Sequence, residues 1–487
     1  MKNINTLNER YALMRERSER EDVMMFLNAC FAATNQSEFY VDQFTQSVSI
    51  DFLHRYVLAN YRRIYARTLA CGINHSNQQA IIVNLLAAGA PNNLAQREEE
   101  GKLIAKALRL LPANRAYQVL TRLTKRKINN RRTKAVVKSF LASRRDLVFD
   151  AVKYRHSFRS AAMHSHLSLP KEFSNFFFEL KRPQSFITPL FEQFRAAHYS
   201  AAAIYDLPYS VTESLANRHK IPRAEFLKRI TPKMTANEKL RLQTSAAEEN
   251  VQLGFNLAQA PLTRLALYVL SLPQSQRADR QVELENALKH SAVRAVERST
   301  ASQNLGRVAA VLDRSYSSGG SRQKRNRPLA VAMATGYLLQ ELSTETLQLW
   351  APGLPQETSS LLVHSQGQTS LASAILDALD WQPDWLVIVS DGYENDPPGV
   401  ADSIAQAYQK LGDSVKPVLW LHCNPVFDGQ HYAPRRLGKT IPTIGLRDAE
   451  DLMIMIQFVN FVTGAASLEQ LEQRLASISH AFLDIAE

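Results

Sequence analysis

Cysteine is scarce: the 487 residues contain three, Cys30, Cys71 and Cys423, far apart and odd in number. This excludes a disulfide framework and a Cys-x-x-Cys metal pair, and it fits a reducing cytoplasm. No run of about 18 apolar residues occurs, so no membrane span is expected. The opening segment MKNINTLNERYALMRERSERED has no apolar core of the kind a signal peptide needs. Catalytic signatures are missing as well. There is no Walker A loop, no G-x-S-x-G, no His-Glu-x-x-His and no recognisable triad, so an enzyme is not expected.

What is present is a globular composition, 45% hydrophobic and 21% charged, in a chain long enough for two or three domains. The net charge of +12 is unevenly spread. Residues 1–305 hold 45 Lys and Arg against 26 Asp and Glu, whereas residues 306–487 hold 13 against 20. Residues 101–150 alone carry 14 basic and 2 acidic side chains. Such a cluster favours a polyanionic partner over an ordinary solvated surface.

The two halves also differ in pattern. Residues 1–305 read as almost entirely helical, as in AQREEEGKLIAKALRLLP, RAYQVLTRLTKRK, TKAVVKSFLASRRDLVFDAVKYR and RQVELENALKHSAVRAVER, with apolar residues three and four apart. Breaks at Pro112, Pro170, Pro222 and Pro273 separate the helices. Many short helices with brief turns point to a HEAT-like α-solenoid of degenerate helix pairs, or else to a compact bundle.

Residues 306–487 alternate strands with helices. VAAVLD and DWLVIVSDG are apolar strands ending in carboxylates, TLQLWAP, SSLLVH and VKPVLWLHC are further strands, and helical segments lie between them. Alternation of this kind predicts a parallel, doubly wound α/β sheet. Ligands in such sheets bind at the carboxyl ends of strands, beside a switch in strand order.

Asp313-Arg314-Ser315-Tyr316-Ser317 follows the first strand, Gly367-Gln368-Thr369-Ser370 lies in a later loop, and Ser390-Asp391-Gly392 ends another strand. Alternating Asp and Ser side chains on a strand-end loop can turn several oxygens toward one hard cation such as Mg²⁺. Spacing and order resemble the metal-ion-dependent adhesion site of von Willebrand A domains. The resemblance implies Ser315, Ser317 and Thr369 as direct ligands and Asp313 and Asp391 as water-mediated ones. It also implies an open position for an acidic protein partner. Arg314, Arg322, Lys324, Arg325 and Arg327 crowd the motif, where they would either repel a cation or recruit that partner.

In the helical half the densest basic run comprises Lys125, Arg126, Lys127, Arg131, Arg132, Lys134 and Lys138. Residues of this kind neutralise nucleic-acid phosphates. Val152-Lys153-Tyr154-Arg155 and Ser165-His166-Leu167-Ser168-Leu169-Pro170 resemble motifs of the TROVE-domain family, the Ro ribonucleoprotein proteins, as does the order of a helical region before a metal-site A domain. The resemblance implies helical repeats arranged as a ring that binds structured non-coding RNA and single-stranded RNA ends. It places Lys153, Arg155 and His166 near the RNA. A lone His ending a helix is as often a capping group.

The expectation is therefore a helical-repeat, RNA-binding domain over 1–305 and a von Willebrand A-type domain over 306–487. The chain is expected to be non-catalytic, monomeric and cytoplasmic, with a divalent metal, RNA and an acidic protein ligand as partners. The alternative is an A-domain adaptor working with an AAA+ ATPase, for which a basic helical half is unnecessary.

Overall fold

Strand β1 (Arg307–Asp313) is buried at every residue except its first. A strand covered on both faces belongs inside a parallel sheet. It pairs on one side with β2 (Glu345–Ala351) and on the other with β3 (Trp385–Val389), and β4 (Leu419–Asn424) and β5 (Thr443–Gly445) follow. All pairings are parallel, in the order β2-β1-β3-β4-β5. The order reverses between β1 and β3, so the loops leaving those strands diverge and open a crevice. The computed structural model describes residues 7–179, 185–299, 304–355 and 359–485.

Side chains two apart share a face of the sheet. Ala309, Val311, Leu386 and Ile388 join a core with Ile375 of helix Ala372–Asp380 and with Ala401 and Ala405 of helix Val400–Lys410. Helix Arg327–Leu342 covers the opposite face. It approaches so closely that a Cβ on Gly336 would meet the Leu312 side chain at 3.1 Å.

One expected strand is absent. SSLLVH forms a single 3₁₀ turn, Ser360–Leu362. The carbonyls of Leu361 and Val363 accept from the buried guanidinium of Arg277, at 2.9 and 2.8 Å, instead of from a neighbouring strand. The long run from Thr133 to Arg155 is also divided, into helices Arg131–Ala142 and Leu147–Lys153. Asp146 starts the second by accepting from the Phe149 N–H at 2.8 Å, the local bond that makes Asp a helix initiator. β5, only three residues after Pro442, was too short to signal itself.

The chain forms two compact units, Met1–Asn77 with Leu257–Glu487, and Gln78–Asn256. Secondary structure changes character at residues 305/306, but the first unit combines the sheet with helices from both ends of the helical region. Helix Leu7–Ala32 packs on β5, where Asn28 Oδ1 accepts from the Gly445 N–H at 2.9 Å. Helices Leu262–Ser271 and Gln281–Glu297 pack on Arg327–Leu342. The Thr263 hydroxyl donates to Glu450 at 2.6 Å and accepts from the Ala449 N–H at 2.8 Å.

The second unit is helical. Pro112, Pro170 and Pro222, read as breaks, each cap the start of the next helix. A proline loses no intrahelical bond near a helix start, because the first N–H groups have no partner there. Its core is aromatic: Phe176 stacks on Phe191 at 4.1 Å, and Tyr117 contacts Phe140, Tyr154 and Phe158. No described helix is long and apolar enough to cross a membrane. All three cysteines are buried thiols.

His422 on β4 bridges its neighbours, with Nδ1 3.1 Å from Thr443 Oγ1 and Nε2 3.0 Å from Ser390 Oγ. Full burial pushes its pKa down to about 3. The unfolded chain titrates this group near 6.5, so between those values it binds one more proton than the folded chain does. Stability therefore falls as pH drops below about 6.5, by about 1.4 kcal/mol per unit from this group. His422→Asn should flatten the acid limb of urea midpoints by that slope. Parallel pH profiles for the two proteins would contradict the assignment.

Candidate metal centre and nucleic-acid surface

The five residues expected to hold a metal converge at the crevice between β1 and β3. Asp313 ends β1, Asp391 lies just past β3, and Ser315 and Ser317 occupy the loop after β1. The Thr369 loop is stitched to both others: Tyr316 N–H donates to Gly367 O at 2.9 Å, and Asn395 and Asp396 N–H donate to Thr369 O at 3.2 and 3.1 Å. All five side chains are buried.

Within the crevice the donors are only partly satisfied. Asp313 Oδ1 accepts from the Ser315 N–H at 2.7 Å, and the Ser315 and Ser317 hydroxyls lie 3.2 Å apart. Asp391 Oδ1 accepts from the Tyr393 N–H at 3.0 Å, with the Ser317 hydroxyl beside the same carboxylate. Among the described residues, Asp313 Oδ2 and Thr369 Oγ1 are buried without a partner. Burial, reinforced by the Asp391 charge, pushes the Asp313 carboxyl up to about 8. Burial raises Asp391 too. Two buried carboxylates and three hydroxyls form an all-oxygen set suited to a hard divalent cation.

Most of the crowding cations point elsewhere. Arg314 is buried, and its guanidinium donates to the carbonyls of Pro352 and Gly353 at 2.8 and 3.2 Å. Lys324 forms a buried ion pair with Glu38. Arg327 donates to Arg447 O and Asp448 Oδ1, each at 2.6 Å. Arg322 and Arg325 remain exposed.

The basic residues of the helical unit divide by partner. Lys125, Arg126, Lys127, Arg131 and Lys138 are exposed, and among the described residues none is paired with an acid. Arg126 donates to the neutral Asn84 at 2.9 Å. Arg132 instead pairs with the buried Glu100 at 2.6 Å. Lys134 and Lys138 line one depression together with His166. His166 follows helix Arg155–His164 in the left-handed region, φ 52°, with its side chain exposed. Its backbone ends the helix, and among the described residues its ring has no hydrogen-bond partner. Arg155 caps helix Lys171–Phe178, donating to Phe176 O and Phe177 O at 2.8 and 3.1 Å. Lys153 Nζ lies over the rings of Phe149 and Tyr154.

No protein-family model and no curated protein sequence matches the chain. Solved structures do match. The crystal structure of the Deinococcus radiodurans Ro (RSR) protein aligns with a TM-score of 0.53 at 14% identity, covering 91% of this chain and 100% of that one. The fold is that of a Ro protein. At this identity the likeness is one of architecture, a helical-repeat region followed by a doubly wound α/β domain, as the sequence resemblance implied.

Within this Ro fold the crevice has an aromatic rim that sequence reasoning missed. Phe39 and Tyr40 precede helix Gln43–Asn60. Phe39 meets Tyr316 edge-on at 5.9 Å, and Tyr40 lies 4.1 Å from Tyr393. The Arg435 guanidinium sits over the other rim residue, Tyr393, at 4.2 Å. Tyr316 is 69% exposed. The available signal was two adjacent aromatics in the polar segment Ser37-Glu38-Phe39-Tyr40-Val41-Asp42.

The Lys324–Glu38 pair fastens the loop after the metal motif to this N-terminal segment. Removing one partner of a buried pair leaves an uncompensated charge. Lys324→Met should cost about 3–5 kcal/mol in urea unfolding, and a second change, Glu38→Gln, should recover much of that loss. Equal stability of Lys324→Met and the native chain would show that the pair is not buried in solution.

Proposed function

We propose that this is a non-catalytic, Ro-like RNA-binding protein with a metal-dependent A domain. One observation carries the RNA reading: the exposed run Lys125, Arg126, Lys127, Arg131 and Lys138 has no acidic partner among the described residues. Charges kept uncompensated at this density attract a polyanion, and phosphate contacts release counterions. The Ro fold and the TROVE resemblance support RNA as that polyanion. Arg132 and Arg155, held by internal acceptors, organise the surface, while the free lysines and arginines make the contacts.

In the A domain, Ser315, Ser317 and Thr369 would hold a divalent cation directly, with Asp313 and Asp391 behind them. The orphaned oxygens of Asp313 and Thr369 fit such a group. When bound, the cation supplies an electrophilic point for a carboxylate of a protein partner. The residues themselves position that point, because Asp313 fixes the Ser315 backbone and Ser317 lies against Asp391.

RNA binding is tested by titrating total cellular RNA across a salt series. The log of the affinity should fall with log salt by about 0.7 per single-stranded and 0.9 per duplex phosphate neutralised. Replacing Lys125, Arg126, Lys127, Arg131 and Lys138 by Ala should flatten that slope and weaken binding more than tenfold. An unchanged slope removes the cluster from the reading.

The metal site is tested by melting in Mg²⁺ alone. Millimolar Mg²⁺ should raise the Tm of the native chain but not of Thr369→Ala or Asp391→Asn. Without metal, Asp391→Asn should be more stable than the native chain by about 1–3 kcal/mol, since one of two neighbouring buried carboxylates is gone. A native chain indifferent to Mg²⁺ and to Mn²⁺ would refute the site.

A further inference from the structure

The helical unit contains a cavity of about 680 Å³ that the basic run does not line. Its walls come from the segment Val152–Ser157, from helix Pro189–Ala197 with the His198–Tyr199 turn, and from helix Tyr209–Arg218. Among the described residues, four cations, Lys153, Arg155, Arg195 and Arg218, line it, and no Asp or Glu does. Arg195 is paired outward with Glu192, whereas Lys153 has no acid partner among the described residues. Tyr154, Phe194 and the 73% exposed Tyr199 supply aromatic surface.

His198 anchors one of the lining cations. Arg218 Nη1 lies 3.1 Å from His198 Nδ1. A guanidinium only donates, so Nδ1 accepts and Nε2 carries the ring proton. Among the described residues that Nε2–H and Arg155 Nε have no hydrogen-bond partner, but both atoms lack accessible surface, so neither opens into the cavity. Burial, with the Arg218 and Arg155 charges, lowers the His198 pKa, which keeps the ring neutral. Lys153 and Arg218, neither paired with an acid among the described residues, leave the cavity's positive charge open to an anionic acceptor.

We propose that this cavity is a nucleotide site, holding one unstacked nucleotide with its phosphate on Arg218 and Lys153 and its base against Tyr199 and Tyr154. The volume lies in the range of ligand pockets. Cations beside aromatics are the combination that holds single-stranded nucleotides, phosphate by charge and base by stacking. The proposal deepens the RNA reading, yet a free mononucleotide offers the same chemistry.

The experiment uses the full chain with AMP, UMP and a fluorescein-labelled eight-nucleotide RNA of mixed sequence. Arg218→Ala and Tyr199→Ala both alter exposed side chains, so folding should persist, which circular dichroism verifies. Each should weaken mononucleotide binding by roughly tenfold or more. The alanine variant of the Lys125–Lys138 cluster should leave mononucleotide affinity unchanged. Mononucleotide that displaces the octamer identifies a strand as the source. Saturable mononucleotide binding without octamer binding upholds the cavity, assigns it to free nucleotides and defeats the RNA reading. No mononucleotide binding, or binding indifferent to both variants, overturns the cavity proposal. In that case, octamer binding that still responds to the basic cluster leaves the RNA reading standing.

Discussion

Two carboxylates, Asp313 and Asp391, are buried together where the order of the parallel sheet reverses. Burial disfavours the charged form of each, and at Asp313 the neighbouring Asp391 charge adds to it; the upward displacement of both pKa values records this. The surrounding structure holds this arrangement in place. Pairing of β1 with β3 sets the two strand ends side by side, and the Thr369 loop is bound to both neighbouring loops. An apolar strand end would be cheaper, so the energy stored here marks the crevice as a place built for something other than stability.

The same unit shows how cations within the metal motif and the loop after it are turned away from that crevice. Arg314 lies within the motif, yet its guanidinium spends its donors on backbone carbonyls. Lys324 turns into a buried pair with Glu38, and Arg327 reaches Asp448. The partner of Lys324 comes from the N-terminal segment that precedes helix Gln43–Asn60. The aromatic rim of Phe39 and Tyr40 arrives by that route as well. Whatever meets the crevice therefore meets a surface built by sequence-distant segments.

In the helical unit the physical distinction lies between cations with and without a counter-charge. Arg132 and Arg144 are paired with buried acids, Glu100 and Asp150, and serve the fold. Lys125, Lys127 and Arg131 have no such partner among the described residues and present charge to solvent. Counting basic residues along the chain overstates the binding surface, because the count cannot separate the two groups.

Local chemistry was legible in the sequence. The apolar runs ending in Asp313 and Asp391, the D-x-S-x-S spacing and the proline-capped helices depend on near neighbours, and periodicity and side-chain type determined them. Two things were not legible. SSLLVH has strand composition, but its carbonyls are claimed by Arg277 from more than eighty residues away. The nucleotide-sized cavity joins Lys153 to Arg218 across helices that share no motif. The sequence by itself determined which residues could bind a metal or a phosphate, because that follows from their functional groups. Tertiary structure decided which of them are free to do so, because a charge is available only where folding has not already given it a partner.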